Sequence, residues 1–193
     1  MITWKDIKLK DYLEIQKIVN DEYLDEYIKT LYICRILFPS VVFSLDMPYA
    51  ELCKYSSKLD LSNIDTKRCR LKKEYEVGKI VVSVATNIKK VTTAQFLDYS
   101  NFIKQGKEVE AICVFLIPVG FEYNKLYDFD NLVKLVKENL SAEDYLTINF
   151  TLQRKYNKYL LTFANSLLWK MLPKMTGMYI KMWIKSKFKR KQK

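Results

Sequence analysis

The chain has 193 residues, 49% of them hydrophobic and 14% aromatic, with only four Gly and four Pro, a composition that buries one full core and excludes a disordered or low-complexity chain. Its 33 Lys and Arg outweigh 22 Asp and Glu to give a formal charge of +11, and the absence of His removes the commonest general base together with Ser/His/Asp and Cys/His nucleophile arrangements. Gly78, Gly106, Gly120 and Gly177 are isolated from one another, which excludes a phosphate-cradling glycine loop.

The opening Met1-Ile2-Thr3-Trp4-Lys5-Asp6 lacks the basic, apolar and small-residue regions of a signal peptide, so a cytoplasmic protein is expected. Leu9, Tyr12, Leu13, Ile15, Gln16 and Val19 then recur at helical spacing. A second helical face follows in Leu24, Tyr27, Ile28, Leu31 and Tyr32, limited by Pro39. Asp46 is the expected cap of a third helix, with Pro48 in its first turn and Leu52 and Tyr55 facing inward.

The pattern changes at Lys67. Cys69, Leu71, Tyr75 and Val77 alternate with charged residues, Ile80, Val81, Val82 and Val84 form a β-branched run, and Val77-Gly78-Lys79 supplies a turn, which predicts a β-hairpin over about residues 67–86. Its outer Lys67, Arg68, Arg70, Lys72 and Lys73 suit either phosphate contact or protection of a sheet edge. Thr92 or Thr93 caps a helix over 94–105 that ends at Gly106, with Phe96, Leu97, Tyr99, Phe102 and Ile103 as its apolar face. Val109 to Ile117 is nearly all apolar and fits a buried helix or a buried strand; helix is the expectation. Asp128 or Asp130 caps the next helix, an assignment that also accounts for the Asp-Phe-Asp triplet without a metal. Phe96, Phe102, Phe115, Leu116 and Leu135 are the expected core.

Ser141-Ala142-Glu143-Asp144 has the form of a capping box, with Asp in place of Glu or Gln, and starts a long helix expected to reach Leu172 before Pro173 breaks it. The predicted class is therefore α+β, mainly α with a small β-hairpin: a near-neutral body over 1–144, then 145–193 as a long helix and a basic amphipathic helical arm. From Tyr145 to Lys193 there is no Asp or Glu and there are twelve basic residues, so the preceding part carries 21 basic against 22 acidic groups. The entire excess of positive charge sits in the C-terminal quarter, the signature of an arm that meets a partner.

In helical projection Lys174, Lys181 and Lys185 share one narrow stripe, while Met175, Met178, Tyr179, Ile180, Met182, Trp183 and Ile184 fill most of the rest. The candidate partner-binding residues are Lys174, Met178, Lys181, Met182 and Trp183, then Lys185, Lys187, Lys189, Arg190 and Lys191. The apolar run from Tyr159 to Leu172 rises only about 21 Å against a hydrocarbon core of about 30 Å, which favours a membrane surface over spanning. Alternatively, the Met, Tyr and Trp side chains pack on the body with the lysines facing water.

No catalytic, metal or cofactor site is expected. Cys34, Cys53, Cys69 and Cys113 are widely separated, and a zinc site requires all four to converge. The carboxylates Glu108, Glu110, Glu143 and Asp144 form no recognisable catalytic pattern, so a binding protein rather than an enzyme is the reading.

Val91-Thr92-Thr93-Ala94-Gln95-Phe96-Leu97-Asp98, Val114-Phe115-Leu116-Ile117-Pro118-Val119-Gly120, Tyr123-Asn124 and Tyr127-Asp128, with the opening Thr3-Trp4-Lys5-Asp6-Ile7, resemble small tail-assembly proteins of tailed bacteriophages. The resemblance covers residue 3 to about residue 160, and its motifs are structural. It implies a tail assembly chaperone that holds tape-measure and tail-tube subunits soluble, in the host cytoplasm or the virion. The basic, aromatic arm after Tyr159 departs from that pattern. It fits a Met-rich contact with a tape-measure helix. The alternatives are a neck, tail or internal virion protein touching DNA, which accounts for the positive charge more directly, another nucleic-acid-binding protein with Tyr159, Trp169, Tyr179, Trp183 and Phe188 stacking on bases, or a peripheral membrane binder.

Overall fold

The computed structural model describes residues 1–61, 70–87, 90–123 and 127–156. In chain order its elements are β1 (Ile2–Thr3), α1 (Leu9–Val19), α2 (Glu26–Leu37), α3 (Tyr49–Ser56), β2 (Leu59–Asp60), β3 (Glu74–Val77), β4 (Ile80–Val84), α4 (Thr93–Lys104), α5 (Glu108–Cys113), β5 (Leu116–Pro118) and α6 (Phe129–Asn139). A last helix, α7, is described over 142–156. The fold is mainly α with a small sheet, as helical periodicity predicts. Two compact units divide the chain, Met1–Leu152 and Gln153–Lys193, and of the second only 153–156 are described. The expected helix to Leu172, the break at Pro173, the arm and Lys67 to Cys69 lie outside the described residues.

The N-terminal strand β1 pairs in parallel with β2, Ile2 opposite Leu59, which returns the chain to its start after three helices. Thr3 donates to the Asp6 carboxylate from its backbone N–H at 2.9 Å and its hydroxyl at 2.8 Å, closing a tight turn and holding that carboxyl below its ordinary range. The turn delivers Ile7 and Leu9 to the α6–α7 junction. There Leu9 N–H donates to Leu140 O, and Ala142 N–H donates to Ile7 O, both at 2.8 Å.

Helix α2 starts at Asp25, whose carboxylate accepts from Ile28 N–H. It buries two faces rather than one. Leu31 and Cys34 pack with Phe43 and Leu52, whereas Ile33, Ile36 and Leu37 pack against a cluster of Ile7, Ile15 and Ala142. A helix apolar on most sides is thereby accommodated. Helix α3 corrects the expectation of an Asp46 cap: Pro48, with ψ 133°, is the capping position, and no side chain caps the helix. Asp46 lies two residues too early to reach its first amides.

The hairpin forms over a shorter stretch than alternation predicts. Strand β3 begins at Glu74, while residues 70–73 have no strand pairing, and Gly78 (φ 65°) turns the chain into β4. Two residues of the turn, Gly78 and Lys79, separate the paired Val77 and Ile80. A third strand joins that the local pattern did not reveal. The apolar run expected to be helical is helix only over Glu108–Cys113; Leu116–Pro118 is β5, antiparallel to β4 with Ser83 opposite Ile117. The sheet order is β3-β4-β5.

Helix α4 has a complete capping box: Thr92 Oγ1 accepts from Gln95 N–H, and Gln95 Oε1 accepts from Thr92 N–H at 3.0 Å. Gly106, at φ 70°, follows its end. Asp128 caps α6 by accepting from Asn131 N–H at 3.1 Å, and Ser141 Oγ accepts from Asp144 N–H at the start of α7. The core fills between α1, α5, α6, α7 and the sheet, where Val77, Val82, Val114, Leu132, Val136, Tyr145 and Ile148 are fully buried. Of the expected core residues, Phe115 and Leu116 are buried, whereas Phe96, Phe102 and Leu135 are half-buried. Leu97 and Ile103, assigned to the inner face of α4, are exposed. Gln95 and Tyr99 take the buried positions instead.

Candidate partner-binding surfaces

All ten candidate partner-binding residues, Lys174 through Lys191, lie outside the described residues. The body nevertheless presents surfaces of its own. Between α2 and α3 lies a groove of about 270 Å³ with Tyr27 and Thr30 on one wall, Tyr49 and Cys53 on the other, and Leu52 along it. Tyr27 and Tyr49 rings sit 6.0 Å apart there. Val42, Leu45 and Tyr49 in and after the preceding loop are strongly exposed, Val42 at 86%. The loop is held by its own anchor: Phe43 is buried against Phe38 and Tyr55. Anchoring one apolar residue while presenting others at the surface builds an apolar contact patch.

A second cleft, about 360 Å³, separates β3 from the α6–α7 junction. Lys72, Glu74 and Glu76 form one wall; Asn139, Ser141 and Asp144 form the other. Lys72 crosses it to pair with Asp144 at 3.0 Å, and its ammonium also lies 5.4 Å from the centre of the Tyr75 ring. Thus Lys72, which sequence reasoning placed among edge charges or phosphate contacts, is committed to an ion pair. Arg70 and Lys73 are exposed.

A third cleft of about 140 Å³ lies where Ile80 and Pro118 meet Phe121, Tyr127 and Leu135.

The carboxylates considered for chemistry are distributed over the body. Glu110 pairs with Lys137 at 3.1 Å, Asp144 with Lys72, and Glu108 is exposed. Cys34 and Cys113 are buried free thiols and Cys53 a half-buried one; burial pushes the Cys113 thiol far above its ordinary range and keeps it protonated. Cys69 lies outside the described residues. Among the described residues, no three His, Cys, Asp or Glu side chains gather in a metal-holding group, and no helix is long and apolar enough to cross a membrane.

Two tyrosines carry strong perturbations. Tyr123 donates to Asp98 at 2.6 Å, and burial followed by that carboxylate raises its hydroxyl. Tyr145 is raised first by burial and then by Glu108, and its hydroxyl makes no hydrogen bond to a protein group. Tyr123-Asn124 and Tyr127-Asp128 were legible as motifs, but the Tyr123–Asp98 bond spans a helix and a loop far apart in sequence and left no local signal.

Among the described residues these features define a mainly helical α+β body with open clefts and an apolar patch. No protein-family model, curated protein or solved structure matches the chain.

Proposed function

We propose that this protein is a non-enzymatic phage morphogenesis factor, a tail assembly chaperone or structural adaptor that masks an apolar surface of a tape-measure, tail or neck subunit in the host cytoplasm or the virion. The observation that carries the reading is charge segregation: all of the net positive charge resides after Tyr145, among Met, Trp and Tyr residues. A near-neutral body with such an arm is suited to holding an apolar, acidic partner. The exposed Val42, Leu45 and Tyr49 give the body an apolar contact of its own. The motif residues occupy structural positions: Thr92 and Gln95 form a capping box, Leu116–Pro118 is a strand, and Asp128 caps a helix.

Affinity purification from producing cells followed by mass spectrometry tests the proposal. Recovery of a virion subunit that is lost when residues 174–193 are removed is expected; recovery of no virion protein contradicts it. The run Lys185, Lys187, Lys189, Arg190 and Lys191 favours a second reading, a virion or other protein contacting nucleic acid. That reading predicts an affinity that falls steeply with salt as counterions are released. Anionic vesicles in the same titration examine the third reading, a peripheral membrane binder.

A further inference from the structure

The sheet has two edges of different character. β5 ends at Pro118, which has no N–H to offer, whereas β3 contains no proline. The parity of β3 follows from its neighbour. Val81 O accepts from Val119 N–H at 2.9 Å, so Val81 directs its polar backbone toward β5. Its partner across β3 is Glu76, which therefore sits in a non-hydrogen-bonded pair with β4. Both Glu76 and, two residues earlier, Glu74 direct N–H and C=O away from the sheet. Among the described residues no strand pairs with that side.

This edge opens onto the 360 Å³ cleft at the α6–α7 junction. Tyr75 and Val77 turn inward and are buried, leaving Glu74 and Glu76 exposed on the other face. Lys72 is held by Asp144, while Glu74 and Glu76 make no ion pair among the described residues. Paired with a second copy, an antiparallel β3 centred on Tyr75 places glutamate opposite glutamate, which is destabilising. An extended segment with Lys or Arg at two alternate positions satisfies the edge amides and both carboxylates together. Lys73 and Lys79 flank the acidic pair and disfavour a longer polybasic run.

We propose that the β3 edge is a strand-addition site for an extended segment of a partner protein that carries Lys or Arg at alternate positions opposite Glu74 and Glu76. Every residue of this site lies in the unit Met1–Leu152.

The test uses the full chain and two seven-residue peptides that alternate valine and lysine. The second is N-methylated at the lysine amides, which keeps its charge and removes the pairing donors. At low salt the first is expected to bind and to slow amide exchange at Glu74 and Glu76 at least about tenfold, and the methylated twin to bind far more weakly. Glu74→Gln with Glu76→Gln, both exposed positions, is expected to weaken binding about fivefold to thirtyfold with an unchanged circular dichroism spectrum. Equal binding of the methylated twin, unchanged exchange at the two amides, or no binding of the first peptide overturns the proposal. Concentration-dependent protection of those amides without peptide also overturns it, since the occupant is then a second copy. Exchange on the unaltered chain keeps the outcome decisive even where the double variant misfolds.

Discussion

Gln95 joins two parts of the body at once. Its Oε1 completes the cap of α4, while its Nε2 donates to Val114 O at 3.3 Å from a position only 3% exposed. Truncation removes a cap interaction and leaves a buried carbonyl unpaired, so Gln95→Ala is expected to cost about 2 kcal/mol in denaturant unfolding. Phe115 meets Tyr99 edge-on at 5.3 Å within the core, and Phe115→Ala is expected to cost about 3 to 5 kcal/mol; an unchanged midpoint contradicts its placement. Tyr145 behaves in the opposite sense, because its hydroxyl is buried without a protein partner. Tyr145→Phe is expected to leave stability at pH 7 unchanged or raise it by about 1 kcal/mol. The pH dependence follows from linkage. Tyrosine titrates near 10.0 in the unfolded chain, and the folded Tyr145 and Tyr123 hydroxyls are held above that. The folded state therefore binds more protons, stability is full below pH 10, and it falls as pH rises past it. Thermal midpoints from pH 8 to 11 check this, with the gap between Tyr145→Phe and the unaltered protein widening in favour of Phe above pH 10.

At the scale of elements, caps and turns were the most legible features because their chemistry is local. Ser141 and Gly106 act where the sequence places them, and of the paired candidates Thr92 or Thr93 and Asp128 or Asp130 the first of each is the cap, since one side chain or one φ value decides the boundary. Asp46 failed because Pro48, two residues on, takes the capping position. Val109 to Ile117 was illegible for a different reason. Burial on all sides erases periodicity, and the change from α5 to β5 depends on β4 pairing more than thirty residues back in the chain. The parallel β1–β2 pair was likewise set by a long-range contact, and two residues are too few to carry a pattern. Glycine substitution separates a turn that is tightly packed from one that is only twisted. At Gly78 a Cβ would meet Leu135 Cδ2 at 3.2 Å and Asn139 Nδ2 at 3.3 Å, in addition to the positive φ; at Gly106 nothing lies within 4 Å. Gly106→Ala is expected to cost about 1 kcal/mol and Gly78→Ala measurably more, since only the hairpin turn must also displace α6. Equal losses in thermal unfolding would refute the packing argument.

For the whole molecule, the division of charge was readable from composition alone, whereas the clefts were not, because each is assembled by packing between separate elements. The β3 cleft brings Lys72 to Asp144, and the α2–α3 groove brings Tyr27 to Tyr49. The proposed role of the arm separates into two forces that mutation can tell apart. Replacing Lys185, Lys187, Lys189, Arg190 and Lys191 with Gln removes five positive charges and leaves the apolar side chains in place. A phosphate- or lipid-driven interaction is then expected to lose most of its affinity and its salt dependence. Replacing Met178, Met182 and Trp183 with Ser keeps the charge and removes the groups that bury area against a protein. An apolar subunit contact is then expected to be lost, with little change in the slope of affinity against salt. The chaperone reading requires the second variant to fail in subunit capture while the first retains it at moderate salt. The reverse pattern assigns the arm to nucleic acid or an anionic membrane. Loss of cooperative unfolding in the 1–173 truncation assigns it to the core of the folded body, and capture by both variants at full strength removes it from recognition altogether.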